Sequence, residues 1–302
     1  MTSPSRKSSQ QPSDPFDGWS HRLAWILAAL AVLFAWVGGL VTTRGDSATM
    51  DNTRVIASVG VLLLIALAVA VWRRDGRRWM RWLAFGAIAA VVLLGGLGWL
   101  RVIFNEPQLA KLLGCIAPLL CAICAAMVTV TSRAWRTRGP AEVHPAARRT
   151  QRMVLIVTVG VYLLILSGAQ LRHPSPDDAP GWFTFWLWLQ VILSGVVGVA
   201  ALLLLIQVVG RLRDRRMLVR RAGLLAALFF VQILLGIGTW VTNYGVPGWF
   251  RDHVRAIDYT VVAGGPLQVW TTTTHVAVGS LVLMASLAVL LWSHRLPVPH
   301  DD

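Results

Sequence analysis

Eight stretches of this chain are apolar for long enough to cross a bilayer, at about 22–41, 54–72, 82–100, 109–130, 152–170, 184–209, 219–241 and 268–292. A run of roughly 18 or more apolar residues matches the hydrocarbon thickness when coiled as a helix. No water is present there to bond the backbone, so a spanning segment must be a helix or part of a closed barrel. No strand-like alternation competes with these runs. The predicted fold is therefore all-α and polytopic, with eight transmembrane helices. With 56% hydrophobic residues, the chain has too much apolar surface for a water-soluble globule.

The formal charge of +14 invites a nucleic-acid reading, but its placement argues against one. Arg73, Arg74, Arg77, Arg78 and Arg81 fill the second connection between runs. Arg133, Arg136, Arg138, Arg148, Arg149 and Arg152 fill the fourth, and Arg211, Arg213, Arg215, Arg216, Arg220 and Arg221 the sixth. The odd-numbered connections hold only Arg44, Arg54, Arg101, Lys111, Arg172, Arg251 and Arg255. That alternation is the positive-inside pattern, which predicts a multi-pass protein of the inner (plasma) membrane with both termini cytoplasmic. The charge marks topology and an affinity for anionic lipid, and nucleic acid is not an expected partner.

Residues 1–21 read as a cytoplasmic tail rich in Ser, Pro and Gln at its start, and 293–302 as a second tail. The first apolar run ends in Gly38–Gly39 rather than in a small-x-small cleavage site, so it is expected to stay as an anchor. Trp19, Trp72, Trp79, Trp82, Trp182, Trp249 and Trp292 lie near predicted helix ends, where aromatic belts form. Cys115, Cys121 and Cys124 all fall on the fourth predicted helix, leaving the outer loops without a disulfide. They read as small packing residues.

The basic connection at 131–151 splits the chain into two similar predicted four-helix bundles, 22–130 and 152–292. The first helix of each ends alike, in Val37–Gly38–Gly39–Leu40–Val41–Thr42 and Ser167–Gly168–Ala169–Gln170–Leu171–Arg172. The third helices carry Gly95–Gly96–Leu97–Gly98–Trp99 and Gly236–Ile237–Gly238–Thr239–Trp240 at matching places. Small residues so spaced let a helix or a flat ligand approach the backbone. An even number of helices per half makes this a parallel repeat. No Asp or Glu falls in the middle of a span, which weighs against a proton-coupled transporter. One histidine, His275, does fall within a predicted span. An ionisable ring in hydrocarbon is a functional candidate by default, against the plainer alternative of a hydrogen-bonded structural residue.

In this order along a duplicated chain, the segments resemble the heme A synthase family of cytochrome oxidase assembly. Those carrying the resemblance are Gly38–Thr42, Gly96–Val102, Gly168–His173, Thr239–Gly245 and Thr274–Ser280, spread over about 22–292. The resemblance implies oxidation of a heme methyl group to a formyl group, and two heme sites facing the outer side, one per half. It implies a pair of histidines per site, from the second and fourth helices of each half, and an essential glutamate before the first of them. It also implies heme and other oxidase assembly proteins as partners.

The chain departs from that pattern. Where the family has Glu-x-x-His-Arg, it reads Met50–Asp51–Asn52–Thr53–Arg54, keeping only the arginine. The family's His-Gly-Cys becomes Leu113–Gly114–Cys115, and the sixth-helix histidine becomes Gln190. Only His275 matches. The first bundle thus has no evident means of holding iron or performing the oxidation. The expected cofactor is a single heme b in the C-terminal bundle with His275 on the iron, and with Gln190 or an inward-bent His173 as lesser candidates. The expectation is a diverged, heme-handling relative without the synthase's oxidoreductase residues. Its alternatives are a working synthase with rearranged ligands and a non-heme permease or membrane scaffold.

Overall fold

Ten helices follow one another through the described residues, which in this computed structural model are 16–44, 59–63, 65–66, 68–70, 72–73, 78–104, 106–137, 144–175, 178–251, 253 and 259–296. They are α1 (Phe16–Arg44), α2 (Val59–Ala70), α3 (Arg78–Phe104), α4 (Pro107–Thr131) and α5 (Arg133–Thr137). After these come α6 (Ala147–Arg172), α7 (Trp182–Arg211), α8 (Arg216–Tyr244), α9 (Gly248–Arg251) and α10 (Pro266–Ser293). No strand occurs among the described residues. Seven helices, namely α1, α3, α4, α6, α7, α8 and α10, are long and apolar enough to cross a membrane. The second predicted span coincides with α2, a shorter apolar helix, and residues 54–58, 64, 67 and 71 lie outside the described residues. α1 starts at Phe16, ahead of the apolar run, and so takes in His21, whose Nδ1 lies 3.1 Å from Thr131 Oγ1.

Helix α6 packs on α7, α7 on α8, α8 on α10 and α10 on α6, closing a ring of four. α4 packs on both α1 and α3, and the two groups meet where α4 and α10 touch each other, α1 touches α10 and α4 touches α6. Exchanging α1 with α6, α3 with α8 and α4 with α10 turns α1–α4 into α6–α10, α3–α4 into α8–α10 and α1–α10 into α4–α6.

Each ring helix turns one heptad-like row inward. On α7 this row is Val197, Ala201, Leu204 and Val208, and on α8 it is Leu218, Ala222, Leu225 and Phe229, all buried. With Val154, Val157 and Val161 of α6 and Val282 and Val289 of α10 they make one apolar core, confined to the basic half of the ring. A Cβ on Gly160 would stand 2.5 Å from Val197 Cγ2, so glycine sets the α6–α7 approach. A second core joins Leu27, Ala28, Ala84 and Ala87 to Cys121, Cys124 and Met127, with both thiols buried and unbridged.

The junction between the groups explains the matched glycine endings. A Cβ on Gly39 would meet Thr273 Cγ2 of α10 at 3.3 Å, and one on Gly114 would meet Ala169 Cβ of α6 at 3.0 Å. Arg172 at the end of α6 donates to the Gly39 carbonyl at 2.8 Å and to Thr43 Oγ1 at 3.0 Å. Lys111, buried at the start of α4, is held by Asp178 at 2.8 and 3.0 Å and stands 5.1 Å over the Trp182 ring. Cations at the end away from the basic connections thus pin helices together across the junction.

Candidate cofactor site

Beyond Phe229 the inward row of α8 turns polar without changing period: Gln232, Gly236, Thr239 and Asn243. The facing row of α10 does the same with Gln268, Thr272, His275 and Gly279. The helices run antiparallel, so the rows pair in order from the end of α8 and the start of α10. Gln268 Nε2 donates to Asn243 Oδ1 at 2.9 Å, and Asn243 Nδ2 to Thr272 Oγ1 at 3.3 Å. Thr242 and Thr271 share a bond of 3.0 Å. Next comes His275, nine residues into α10 and so about 14 Å along it. Gln232 Nε2 lies 3.4 Å from His275 Nε2, and Gly279 leaves the room that the Gln232 amide uses.

This seam is not fully satisfied. His275 Nδ1, Gln232 Oε1 and Thr239 Oγ1 are buried with no hydrogen-bond partner. Thr242, Thr271 and Thr273 return their hydroxyls to the carbonyl four residues back, as membrane threonines do, whereas Thr239 does not. On α7 the buried row extends outward by the same spacing to Gln190 and Trp186, and the indole N–H groups of Trp186 and Trp182 are also buried and unpaired. Five orphaned polar atoms therefore lie in the half of the ring away from the basic connections, beyond the apolar core. An orphaned buried polar atom costs about 1–3 kcal/mol, so each of these calls for a ligand or water that meets it.

The histidine is only half-buried as a residue although its Nδ1 is enclosed, and a Cβ on Gly236 would stand 3.3 Å from its Cε1. Among the described residues no group of three or more His, Cys, Asp or Glu side chains is placed to hold a metal ion. A bare transition ion takes three or four protein ligands, which this seam does not offer. Heme brings four nitrogens of its own and needs one imidazole from the protein, so His275 fits it.

Gln190 and His173 stand apart from His275. The Gln190 amide oxygen accepts from Ser167 Oγ across α6–α7, and His275 pairs with Gln232, not with Gln190 or Thr271. His173 caps the C-terminus of α6. Burial and the nearby Arg172, Arg101 and Lys111 cations lower its pKa to about 4. No hydrogen bond among the described residues joins either to His275. Residues 50–54 lie outside the described residues, and Leu113 is a partly buried member of the α4 packing face. Gln232 went unnoticed in the sequence, yet a lone amide in Phe229–Phe230–Val231–Gln232–Ile233, four residues before a glycine, was its signal.

The depressed His173 pKa has a measurable sign. The unfolded ring takes a proton near pH 6.5 and the folded one only near pH 4, so unfolding is favoured progressively as pH falls through that window. Thermal unfolding in detergent should therefore show a fall in Tm from pH 6.5 to 4 that is shallower in His173→Gln. An identical slope in the variant would remove His173 as its source.

No protein-family model matches the chain. A heme A synthase from Symbiobacterium thermophilum is 34% identical to it over 135 residues, covering 43% of this chain and 44% of that protein. The chain thus spans less than half the length of the curated relative it matches.

Proposed function

We propose that this chain is a heme A synthase-like membrane protein that binds one heme b in the outer half of the α6–α7–α8–α10 ring, through His275. The observation that carries this reading is the set of orphaned polar atoms on α7, α8 and α10, among them Nδ1 of a membrane-embedded histidine. Bound there, heme would supply redox-active iron, while the protein supplies the imidazole, the apolar floor below it and polar groups for its periphery. Gln232 holds the imidazole, with Thr239, Trp186 and Trp182 free to bond a polar ligand edge. Eight spans arranged as two four-helix bundles are the architecture that fits, and the exchange of helix contacts described above supports it. In this reading Leu113 of the first bundle stands where His275 stands in the second.

The reading includes a chain that handles heme within oxidase assembly without performing the synthase oxidation, because Leu113 and Gln190 occupy ligand positions expected from the resemblance. Titration of purified protein with hemin should saturate at one equivalent with a single Soret band. Saturation at two equivalents, or no uptake, would contradict it. The arginine alternation supports an orientation with the basic connections and both termini on the cytoplasmic side of the plasma membrane. Reporter fusions after Arg77, Arg138 and Arg215 should all report cytoplasm, and an outside signal at any of them breaks the eight-span topology.

A further inference from the structure

Gln232 and His275 meet through a reciprocal arrangement of two glycines. Residues four apart share a helix face, so Gly236 lies on the Gln232 row of α8 and Gly279 on the His275 row of α10. Because the two helices run antiparallel, each long side chain comes to rest over the glycine of the other helix. A Cβ on Gly236 would stand 3.3 Å from His275 Cε1, and one on Gly279 would stand 3.1 Å from Gln232 Nε2. Neither side chain would fit if both glycines were larger. The result is the 3.4 Å contact between Gln232 Nε2 and His275 Nε2.

That contact engages the ring nitrogen with the longest reach from the α10 backbone. An amide nitrogen only donates and a neutral imidazole has one accepting nitrogen, so the Gln232 N–H takes the Nε2 lone pair and the ring proton sits on Nδ1. With the amide turned over, Nε2–H donates to Oε1 instead, and Nε2 is engaged all the same. Little else ties the amide down. Gln232 Oε1 is buried without a hydrogen-bond partner, and 3.4 Å is long for a hydrogen bond. We infer that Gln232 is a displaceable cap on His275, which occupies Nε2 in the empty site and turns aside when heme iron takes that nitrogen. This role rests on the heme reading and deepens it: the Gln232 hold on the imidazole belongs to the empty site, and Gln232 is a positioning residue that sets how readily the site fills. A side chain that must leave first lowers the apparent affinity in proportion to the share of molecules in which it has turned aside.

The test uses the full chain, freed of heme in a nonionic detergent, and stopped-flow mixing with hemin. Gln232→Asn keeps the amide but shortens it by one carbon, so that it no longer reaches Nε2, and Gln232→Leu removes the amide. Both variants should take up hemin about threefold to tenfold faster and correspondingly more tightly than wild type, the weight of one net hydrogen bond. Loss of heme to an excess of a scavenger apoprotein should keep its wild-type rate, because Gln232 makes no bond to the ring once the iron is on. A scaffold role would not produce a gain in uptake alone, and helical circular dichroism reports that each variant is folded. Uptake that is unchanged or weaker in both variants, or heme loss that is faster in both, would overturn the cap and leave the heme reading standing, since a Soret band still forms. No Soret band in any of the three proteins would end the heme reading and the cap with it.

Discussion

His275→Ala, purified after expression with ample heme, should retain its helical circular dichroism and lose the Soret band that the wild type carries. The expected loss in heme affinity exceeds the roughly 10–100-fold that removal of an outer-shell partner costs a metal site, because the imidazole of this seam is gone. Truncation to alanine removes one long contact, 3.4 Å to Gln232, so the fold should survive. Gln190→Leu provides the contrast. Its amide is engaged with Ser167, so this change should loosen α6 against α7 while leaving the Soret band in place. A colourless wild type would end the heme reading. A band that survives in His275→Ala would move the iron to a residue elsewhere in the chain.

Gly160→Ala should destabilise the protein by about 1–3 kcal/mol, the usual cost of overpacking a filled core. An added methyl normally favours a helix by up to about 1 kcal/mol relative to glycine, so the sign of this prediction is opposite to the propensity. Contact geometry decides it: the new Cβ would stand 2.5 Å from Val197 Cγ2, on a β-branched side chain that is itself 3% exposed and has little freedom to turn away. Val197→Ala should restore most of the loss in the double variant, a coupling that two independent sites would not show. Gly195 lies on α7, the helix of Val197, with open space around its Cβ position and makes the control, where alanine should be neutral or stabilising. Equal Tm changes at Gly160 and Gly195 would show that the α6–α7 distance is not set by this contact.

The resemblance and the structure separate where the ligand set is concerned. The matched stretches, Gly38–Thr42 and Gly168–His173, turn out to be the seam between the two groups of helices, with Gly39 against Thr273 and Arg172 on the Gly39 carbonyl. Such residues keep a scaffold together whether or not a cofactor is present. The orphaned atoms of Trp186, Gln232, Thr239 and His275 have no comparable structural use. They are the better guide to a site, because an unpaired buried group is costly unless something meets it.

Several features were fixed by the chain alone. Apolar run length in lipid permits only helices, so the all-helical spanning architecture was legible from composition along the sequence. His275 stood out for the same reason, as a polar ring in hydrocarbon. Helical period also tells which residues share a face, and Gln232, Gly236 and Thr239 follow it on one row, although Gln232 was not singled out from it. Period does not tell which helix that row meets. Only the ring order α6–α7–α8–α10 set Gln232 beside His275, turned Gln190 to Ser167, and brought Arg172 across to α1. Those pairings join residues far apart in the chain, and side-chain packing between helices decides them.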